Sequence, residues 1–277
     1  MNYFGLDDFL LAALREDIGT GDITTESCIP EDAQSHGWFK AKEEGVVCGI
    51  DVAARIFSLL DDKITFSPKV ADGTMVQKGD IIAEIEGPSR SVLTGERVAL
   101  NLMQRMSGVA TRTAKAVSAV KGTNTRIVDT RKSTPGLRVL EKYAVRMGGG
   151  HNHRFNLADG ILIKDNHISA AGSITKAIEN VRNSVPHTLK IEVETESMEQ
   201  VKEAISAGAD IIMLDNMDVP TMTKAVKLIA GCAVTEASGN MGDRDLAEIA
   251  SSGVDVISIG ALTHSVRSMD ISLKFEL

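Results

Sequence analysis

Between Asp129 and His167 the chain reads D-T-R-K-S-T-P-G-L-R-V-L-E-K-Y-A-V-R-M-G-G-G-H-N-H-R-F-N-L-A-D-G-I-L-I-K-D-N-H. Seven cations (Arg131, Lys132, Arg138, Lys142, Arg146, Arg154, Lys164) meet four acids there (Asp129, Glu141, Asp159, Asp165), although the protein as a whole carries 38 Asp and Glu against 30 Lys and Arg. A cationic island in an acidic protein points to a local anionic ligand. Arginines such as Arg131 and Arg154 can each grip a carboxylate through two parallel hydrogen bonds. His151 and His153 form an H-x-H pair, but no third ligand follows at metal-binding spacing, so hydrogen bonding to a substrate beside Arg154 is the better use of one histidine. Arg138, Lys142 and Arg146 share one helical face with Glu141, and the spacing predicts a solvated face for them.

The elements that position these charges recur. Six apolar runs follow Lys121: I-V-D-T around Val128, I-L-I-K around Leu162, K-I-E-V-E around Val193, I-I-M-L-D around Met213, A-V-T-E-A around Val234 and V-I-S-I-G around Ile257. Helical segments such as S-M-E-Q-V-K-E-A-I-S-A-G separate them, and fully apolar strands alternating with helices predict parallel strands covered on both faces. The arithmetic favours an α/β barrel over an open sheet.

Every run ends in polar residues or glycine: Arg131 and Lys132, then Lys164 and Asp165, Glu192 and Glu194, Asp215 and Asn216, Glu236 with Ser238, Gly239 and Asn240, and finally Gly260, Ala261 and Leu262 with His264. One such charge is ordinary loop polarity. Six in succession at one topological position predict a site at the strand-to-helix loops. The last two loops are small enough to offer backbone N–H groups to a phosphate, and late barrel strands often hold one. Glu194 and Asp215 supply hard oxygens of the kind Mg²⁺ shares with water and a diphosphate.

Composition excludes other classes. A net charge of -8 with no basic run repels nucleic acid and acidic membranes, and one Trp, two Tyr and seven Phe leave little for base stacking. No apolar run reaches membrane-spanning length, and the start M-N-Y-F-G-L-D-D-F has no signal-peptide pattern. Cys28, Cys48 and Cys232 form neither a disulfide framework nor a thiolate metal motif, which fits a reducing cytoplasm.

Upstream, Leu6, Phe9, Leu10, Ala13 and Leu14 predict a helix stopping by Gly19. I-G-T-G-D-I-T-T lacks a preceding strand and a phosphate-loop lysine, and reads as a plain loop. Residues 37–87 read as a small β-rich region with one helix near 51–60, in which V-Q-K-G-D-I-I-A-E-I-E-G is an ordinary hairpin. A long helix over 93–120 is expected to break or bend at Ser107-Gly108, with Arg97, Arg105 and Arg112 left as surface charges.

The segment from D-T-R-K-S-T-P-G-L-R to I-L-I-K-D-N-H closely resembles quinolinate phosphoribosyltransferase. The likeness extends over nearly the whole chain through R-E-D-I-G-T-G-D-I-T-T, G-E-R-V-A-L-N-L-M-Q-R-M-S-G-V-A-T, I-E-V-E, I-M-L-D-N-M, E-A-S-G-N and I-S-I-G-A-L-T-H. Small departures, Ser133, Met147 and Asn240, remove no charge the chemistry needs.

The resemblance implies an α/β fold. An N-terminal α/β sandwich domain would span 1–108, with the tail 266–277 returning to it, and an incomplete α/β barrel would span 109–265. It implies phosphoribosyl transfer from 5-phosphoribosyl 1-diphosphate to quinolinate with decarboxylation, giving nicotinate mononucleotide for NAD synthesis. Arg97, Thr130, Arg131, His153, Arg154 and Lys164 match quinolinate-binding positions. Lys132, Glu194, Asp215, Ser238, Gly239, Asn240, Gly260, Ala261, Leu262 and His264 match the diphosphate-binding positions, with Mg²⁺ at Glu194 and Asp215. Lys132, Lys164, Glu194 and Asp215 are the implied catalytic residues. A homodimer or larger homo-oligomer is implied, in which Arg97 reaches the partner's site. Three rivals are weighed against this: a molybdenum-associated relative of altered substrate, which retention of Arg97, Arg131, Arg154 and Lys164 disfavours; a Schiff-base aldolase using Lys132 or Lys164, which borohydride trapping would reveal; and a phosphosugar-binding protein without turnover.

Overall fold

The structure, a computed structural model, describes residues 5–275, so residues 1–4 and 276–277 of the expected first domain and tail lie outside the described residues. In chain order the elements are α1 (Leu6–Ile18), α2 (Ile23–Cys28), β1 (Gln34–Ala41), β2 (Gly45–Val46), α3 (Ile50–Leu60), β3 (Thr65–Pro68), β4 (Met75–Val76), β5 (Ile81–Pro88), α4 (Ser89–Ala119), β6 (Arg126–Val128), α5 (Arg138–Met147), β7 (Ile161–Ile163), α6 (Asp165–Ala171), α7 (Ile174–Arg182), β8 (Ile191–Thr195), α8 (Met198–Ser206), β9 (Ile211–Asp215), α9 (Val219–Ile229), β10 (Val234–Ser238), α10 (Leu246–Ser251), β11 (Val256–Ser258), α11 (Ala261–His264) and β12 (Ile271–Phe275). They form two compact units. The first takes in the described residues up to Ala114, Val139–Gly149 and those from Val266 onward; the second holds Lys115–Arg138 and Gly150–Ser265.

In the first unit an antiparallel sheet runs in the order β12-β1-β5-β3, and β2 pairs with β4. Strand β1 buries Gly37, Phe39 and Ala41 and leaves the residues between them half-exposed, the period of two that a one-sided sheet demands. Against it α3 buries Ile50, Val52, Ala53, Ile56 and Phe57. The rings of Phe39, Phe57 and Phe66 meet there at centroid distances of 5.5 to 6.1 Å.

Several local expectations are corrected in this unit. The plain loop after α1 is shorter than expected, because Asp22 accepts a hydrogen bond from Thr25 N–H at 3.0 Å and starts α2. The hairpin expected in V-Q-K-G-D-I-I-A-E is a turn between strands of different sheets: β4 pairs with β2, and β5 with β1 and β3. Helix α4 is continuous over 31 residues, with no break at Ser107-Gly108. That pair is small for packing: Ser107 Oγ exchanges hydrogen bonds with Cys48 N and O (2.9 and 3.1 Å), and a Cβ on Gly108 would lie 2.3 Å from Arg267 O. Arg105 is no surface charge, since Nε and Nη2 donate to the buried Glu141 Oε1 at 3.1 and 2.7 Å.

The second unit contains one six-stranded parallel sheet in the order β6-β11-β10-β9-β8-β7. Taken cyclically these strands are sequential neighbours, and among the described residues β6 and β7 do not pair, so the sheet is a barrel left open at that seam. The six apolar runs are these six strands, as expected. Their interiors are fully buried in β8 (Ile191 to Val193) and β11, as parallel strands covered by helices require. Four of the intervening helices start where a side chain can cap them: Ser173, Ser197, Asp218 and Asp245 accept hydrogen bonds from the first-turn N–H groups of α7, α8, α9 and α10. Among the described residues no helix is long and apolar enough to cross a membrane.

Candidate active site

The C-terminal ends of the parallel strands line a cavity of about 410 Å³ within the second unit. The β6 end contributes Thr130, Arg131 and Lys132; the segment before β7 contributes His153 and Arg154; and the β7 end contributes Lys164. Strand β8 adds Glu194, β9 adds Asp215, β10 adds Glu236 and Ser238, and β11 adds Ser258. The predicted site residues from six separate stretches are thus brought to one place, because parallel strands all point their C-terminal ends the same way.

Local bonding fixes the cationic wall. Buried Asp129, the residue just past β6, accepts from His153 N at 2.8 Å and from Asn152 Nδ2 at 2.6 Å, which folds the H-N-H-R segment back onto the strand end. His151 extends that edge with a parallel bridge to Val128. Arg154 donates through Nη1 to Gly160 O at 2.8 Å, so its guanidinium is held in place. Burial and the neighbouring Arg131 both disfavour the Arg154 charge, opposed by Glu192. Arg131 Nε is buried with no hydrogen-bond partner. A guanidinium N–H stripped of water and left unpaired is costly unless an anion meets it.

Beneath these cations lie two carboxylates for which spacing gave no role. Glu192 and Glu236 are each 3% exposed and lie on β8 and β10. His153 Nδ1 accepts from Arg154 N–H at 2.8 Å, so its proton resides on Nε2, which donates to Glu192 at 3.1 Å and lies 3.7 Å from Glu236. Both ring nitrogens are therefore engaged by protein groups, and a hydrogen bond from His153 to a substrate requires release of one of them. Burial, reinforced by the charge of Glu192, pushes the Glu236 carboxyl up to about 7, against the opposing pull of His153, Ser258 and Lys164. This His-Glu-Glu group has the donor types of a metal site and is drawn from residues 39 and 83 positions away from His153, a separation no H-x-H spacing rule detects.

The anionic side and the small loops are equally defined. Lys164 pairs with Glu194, whose side chain is 12% exposed. Lys132 is exposed, but its backbone is fixed at both ends: its N–H donates to Thr130 Oγ1 at 3.0 Å and its carbonyl accepts from Thr263 Oγ1 at 2.7 Å. The Lys132 side chain crosses Gly260 next to His264, so closely that a Cβ there would lie 3.0 Å from Lys132 Cδ. Gly239 adopts φ +98°, and a Cβ on it would fall 2.3 Å from Asn216 Oδ1. Asn240 is also left-handed at φ 51°, and with Ser238 it forms a tight turn beside Asp215. In α11 the Leu262 side chain is buried, so only its backbone is available to a ligand.

Arg97 lies elsewhere. It is an exposed residue of α4 in the first unit, where it lines a separate cavity of about 360 Å³ with Asp22 and Thr94. The solvated face expected for Arg138, Lys142 and Arg146 holds only for Arg146: Lys142 is buried and Arg138 is half-buried and hydrogen-bonded.

Comparison with known proteins gives the family. Residues 109–274 match quinolinate phosphoribosyl transferase, C-terminal domain, and residues 22–107 match quinolinate phosphoribosyl transferase, N-terminal domain. A probable nicotinate-nucleotide pyrophosphorylase [carboxylating] of Bacillus subtilis is 48% identical over 277 residues, covering all of this chain and 96% of the relative. The chloroplastic nicotinate-nucleotide pyrophosphorylase [carboxylating] of Arabidopsis thaliana is 43% identical over 99% of this chain and 83% of its own length. The crystal structure of NadC from Streptococcus pyogenes superimposes with a TM-score of 0.94 at 46% identity, covering 99% of this chain and 97% of the other. The cavity of paired cations at the ends of an open barrel is thus carried by a chain that belongs to the quinolinate phosphoribosyl transferase family.

Proposed function

We infer that this protein is a carboxylating nicotinate-nucleotide diphosphorylase. It transfers the phosphoribosyl group of 5-phosphoribosyl 1-diphosphate to quinolinate, with decarboxylation, and releases nicotinate mononucleotide, diphosphate and CO₂ for NAD synthesis. The observation in the site that supports this reading best is the unpartnered, buried Arg131 N–H beside the tethered Arg154, a cationic wall suited to a dicarboxylate.

The charges assign the steps. Arg131, Arg154 and Thr130 hold the carboxylates of quinolinate, with Lys164 and His153 at the edge of the ring. The pyridine nitrogen attacks the anomeric carbon as the bond to diphosphate breaks, and the ribose carries positive charge in the transition state. Glu194, Asp215 and the deeper carboxylates favour that charge, while Lys132 meets the leaving diphosphate. Lys132, Ser238, Gly239, Asn240, Gly260, Ala261, Leu262 and His264 frame the phosphosugar. The pyridinium so formed accepts the electron pair of the breaking C2–carboxylate bond; CO₂ departs, and C2 then takes a proton.

Glu194 and Asp215 are the residues that would hold Mg²⁺. They are hard oxygen donors at the ends of neighbouring strands in one cavity, and Glu194 already carries a cation, the Lys164 ammonium. Bound there, Mg²⁺ supplies charge neutralisation for the departing diphosphate. The exposed Arg97 would act in a neighbouring protomer's site, which makes a homodimer or larger ring the working unit, and three free cysteines suit a cytoplasmic enzyme.

Product analysis tests the reading. Incubated with phosphoribosyl diphosphate and Mg²⁺, the protein should yield nicotinate mononucleotide and CO₂ in equal amounts from quinolinate and nothing from nicotinate. Use of nicotinate would refute the dicarboxylate pocket, and no turnover of either acid would refute the transferase.

A further inference from the structure

We propose that Arg138 is a positioning residue for quinolinate, a clasp that ties the loop carrying Arg131 to the loop carrying Arg154; this rests on the functional reading above. Its guanidinium donates through Nε to Ser133 Oγ at 2.8 Å and through Nη1 to Phe155 O at 3.2 Å, while Nη2 reaches Arg131 O at 3.5 Å. Ser133 and Arg131 belong to the β6–α5 loop, and Phe155 follows Arg154 directly in the other. One planar group with a fixed fork of donors thus spans both halves of the cationic wall, a geometry that a lysine cannot reproduce.

Arg138 is also poorly placed for its own helix. It is the first residue of α5, where the helix dipole disfavours a cation. Helix stability therefore does not explain a guanidinium here, whereas loop bridging does. Asp129 already ties the two segments at the strand end, accepting from His153 N and Asn152 Nδ2 before Arg131; Arg138 adds a tie beyond Arg131 and Arg154, where Arg154 spends Nη1 on Gly160 O within its own loop and Arg131 Nε is left for the ligand. With the clasp removed, the loops keep the Asp129 tie but lose the one beyond Arg131 and Arg154, and a misplacement of about 1 Å at a binding group costs up to roughly 100-fold. Of the phosphosugar positions only Lys132 shares a clasped loop, and its backbone is held independently by Thr130 Oγ1 and Thr263 Oγ1; the rest lie at the ends of β8 to β11.

The test compares wild type, R138M and R138K by steady-state kinetics in both substrates, together with hydrogen exchange of the free proteins. In R138M the KM for quinolinate should rise roughly 10- to 100-fold, with a clearly smaller rise in the KM for phosphoribosyl diphosphate, which meets the clasped loops through Lys132 alone. R138K should remain impaired, since the three N–H donors of an ammonium radiate from one atom and cannot span acceptors on both loops as the guanidinium fork does. Exchange should quicken together over 130–134 and 153–157. An unchanged quinolinate KM, an equal rise in both KM values, or faster exchange confined to α5 would overturn the clasp. Failure of the wild type to turn over quinolinate would sink the functional reading alone, and the exchange data would still decide the clasp.

Discussion

Replacing Glu236 with Gln should stabilise the protein at alkaline pH and leave it unchanged in acid. Glu236 ionises near 7 in the folded protein against an ordinary 4.5, because burial and the charge of Glu192 oppose its carboxylate. A raised carboxyl means that the folded state binds the proton more tightly than the unfolded chain. Its contribution is therefore fully present below pH 4.5 and is lost as pH rises through 7. At pH 8 the wild type carries an ionisation cost of about 3 kcal/mol. Gln cannot ionise, keeps the shape, and adds an N–H₂ donor close to the unpartnered Oε1 of Glu192. Thermal unfolding of both proteins from pH 4 to 8.5 should show Tm curves that meet at the acid end, separate as pH rises from 4.5 to 7 and keep a constant gap above that, E236Q lying higher. A constant Tm difference across that range would refute the assignment of the proton to Glu236. A lower Tm for E236Q at pH 8 would show that the ionised Glu236 carboxylate is needed beside the His153 Nε2–H.

Glu141→Ala strands the Arg105 guanidinium beside a side chain only 1% exposed, and denaturant unfolding should show a loss of about 3 kcal/mol; a loss within experimental error would mean that solvent replaces the pair. Gly239→Ala places a methyl group against Asn216 and strains a left-handed residue, so the KM for phosphoribosyl diphosphate should rise tenfold or more while that for quinolinate holds, with steady-state kinetics as the check. Arg97→Ala and Arg131→Ala chains, each nearly inactive alone, should recover activity when refolded together; no recovery in demonstrated mixed oligomers would remove the cross-protomer role of Arg97.

What could be read from the sequence followed from local pattern. Apolar runs at regular spacing are strands whatever they pair with, so all six barrel strands were legible, and so were the charges at their ends. Features that depend on distant partners were not. Ser107-Gly108 reads as a helix breaker because both residues have low helix propensity, but close contacts with Cys48 and Arg267 override that preference. Glu141 and Lys142 read as a wet helical face because the pattern around them is charged, yet Glu141 is the buried partner of Arg105, 36 residues away. Glu192 and Glu236 were visible as polar strand positions, but their meeting with His153 depends on strand order, which periodicity alone does not specify.

The open seam between β6 and β7 has a consequence for how such a protein can diverge. The long excursion bridging that seam, residues 129–160, carries Arg131, Arg138, His153 and Arg154 in one contiguous stretch. Apart from Lys132, which the same stretch carries, the positions proposed for the phosphosugar are scattered over the ends of the four strands β8 to β11. On the proposed assignments the acceptor contacts are therefore concentrated in one stretch, Lys164 apart, so that substitutions there would bear mainly on the acceptor, whereas the donor contacts are spread through the frame.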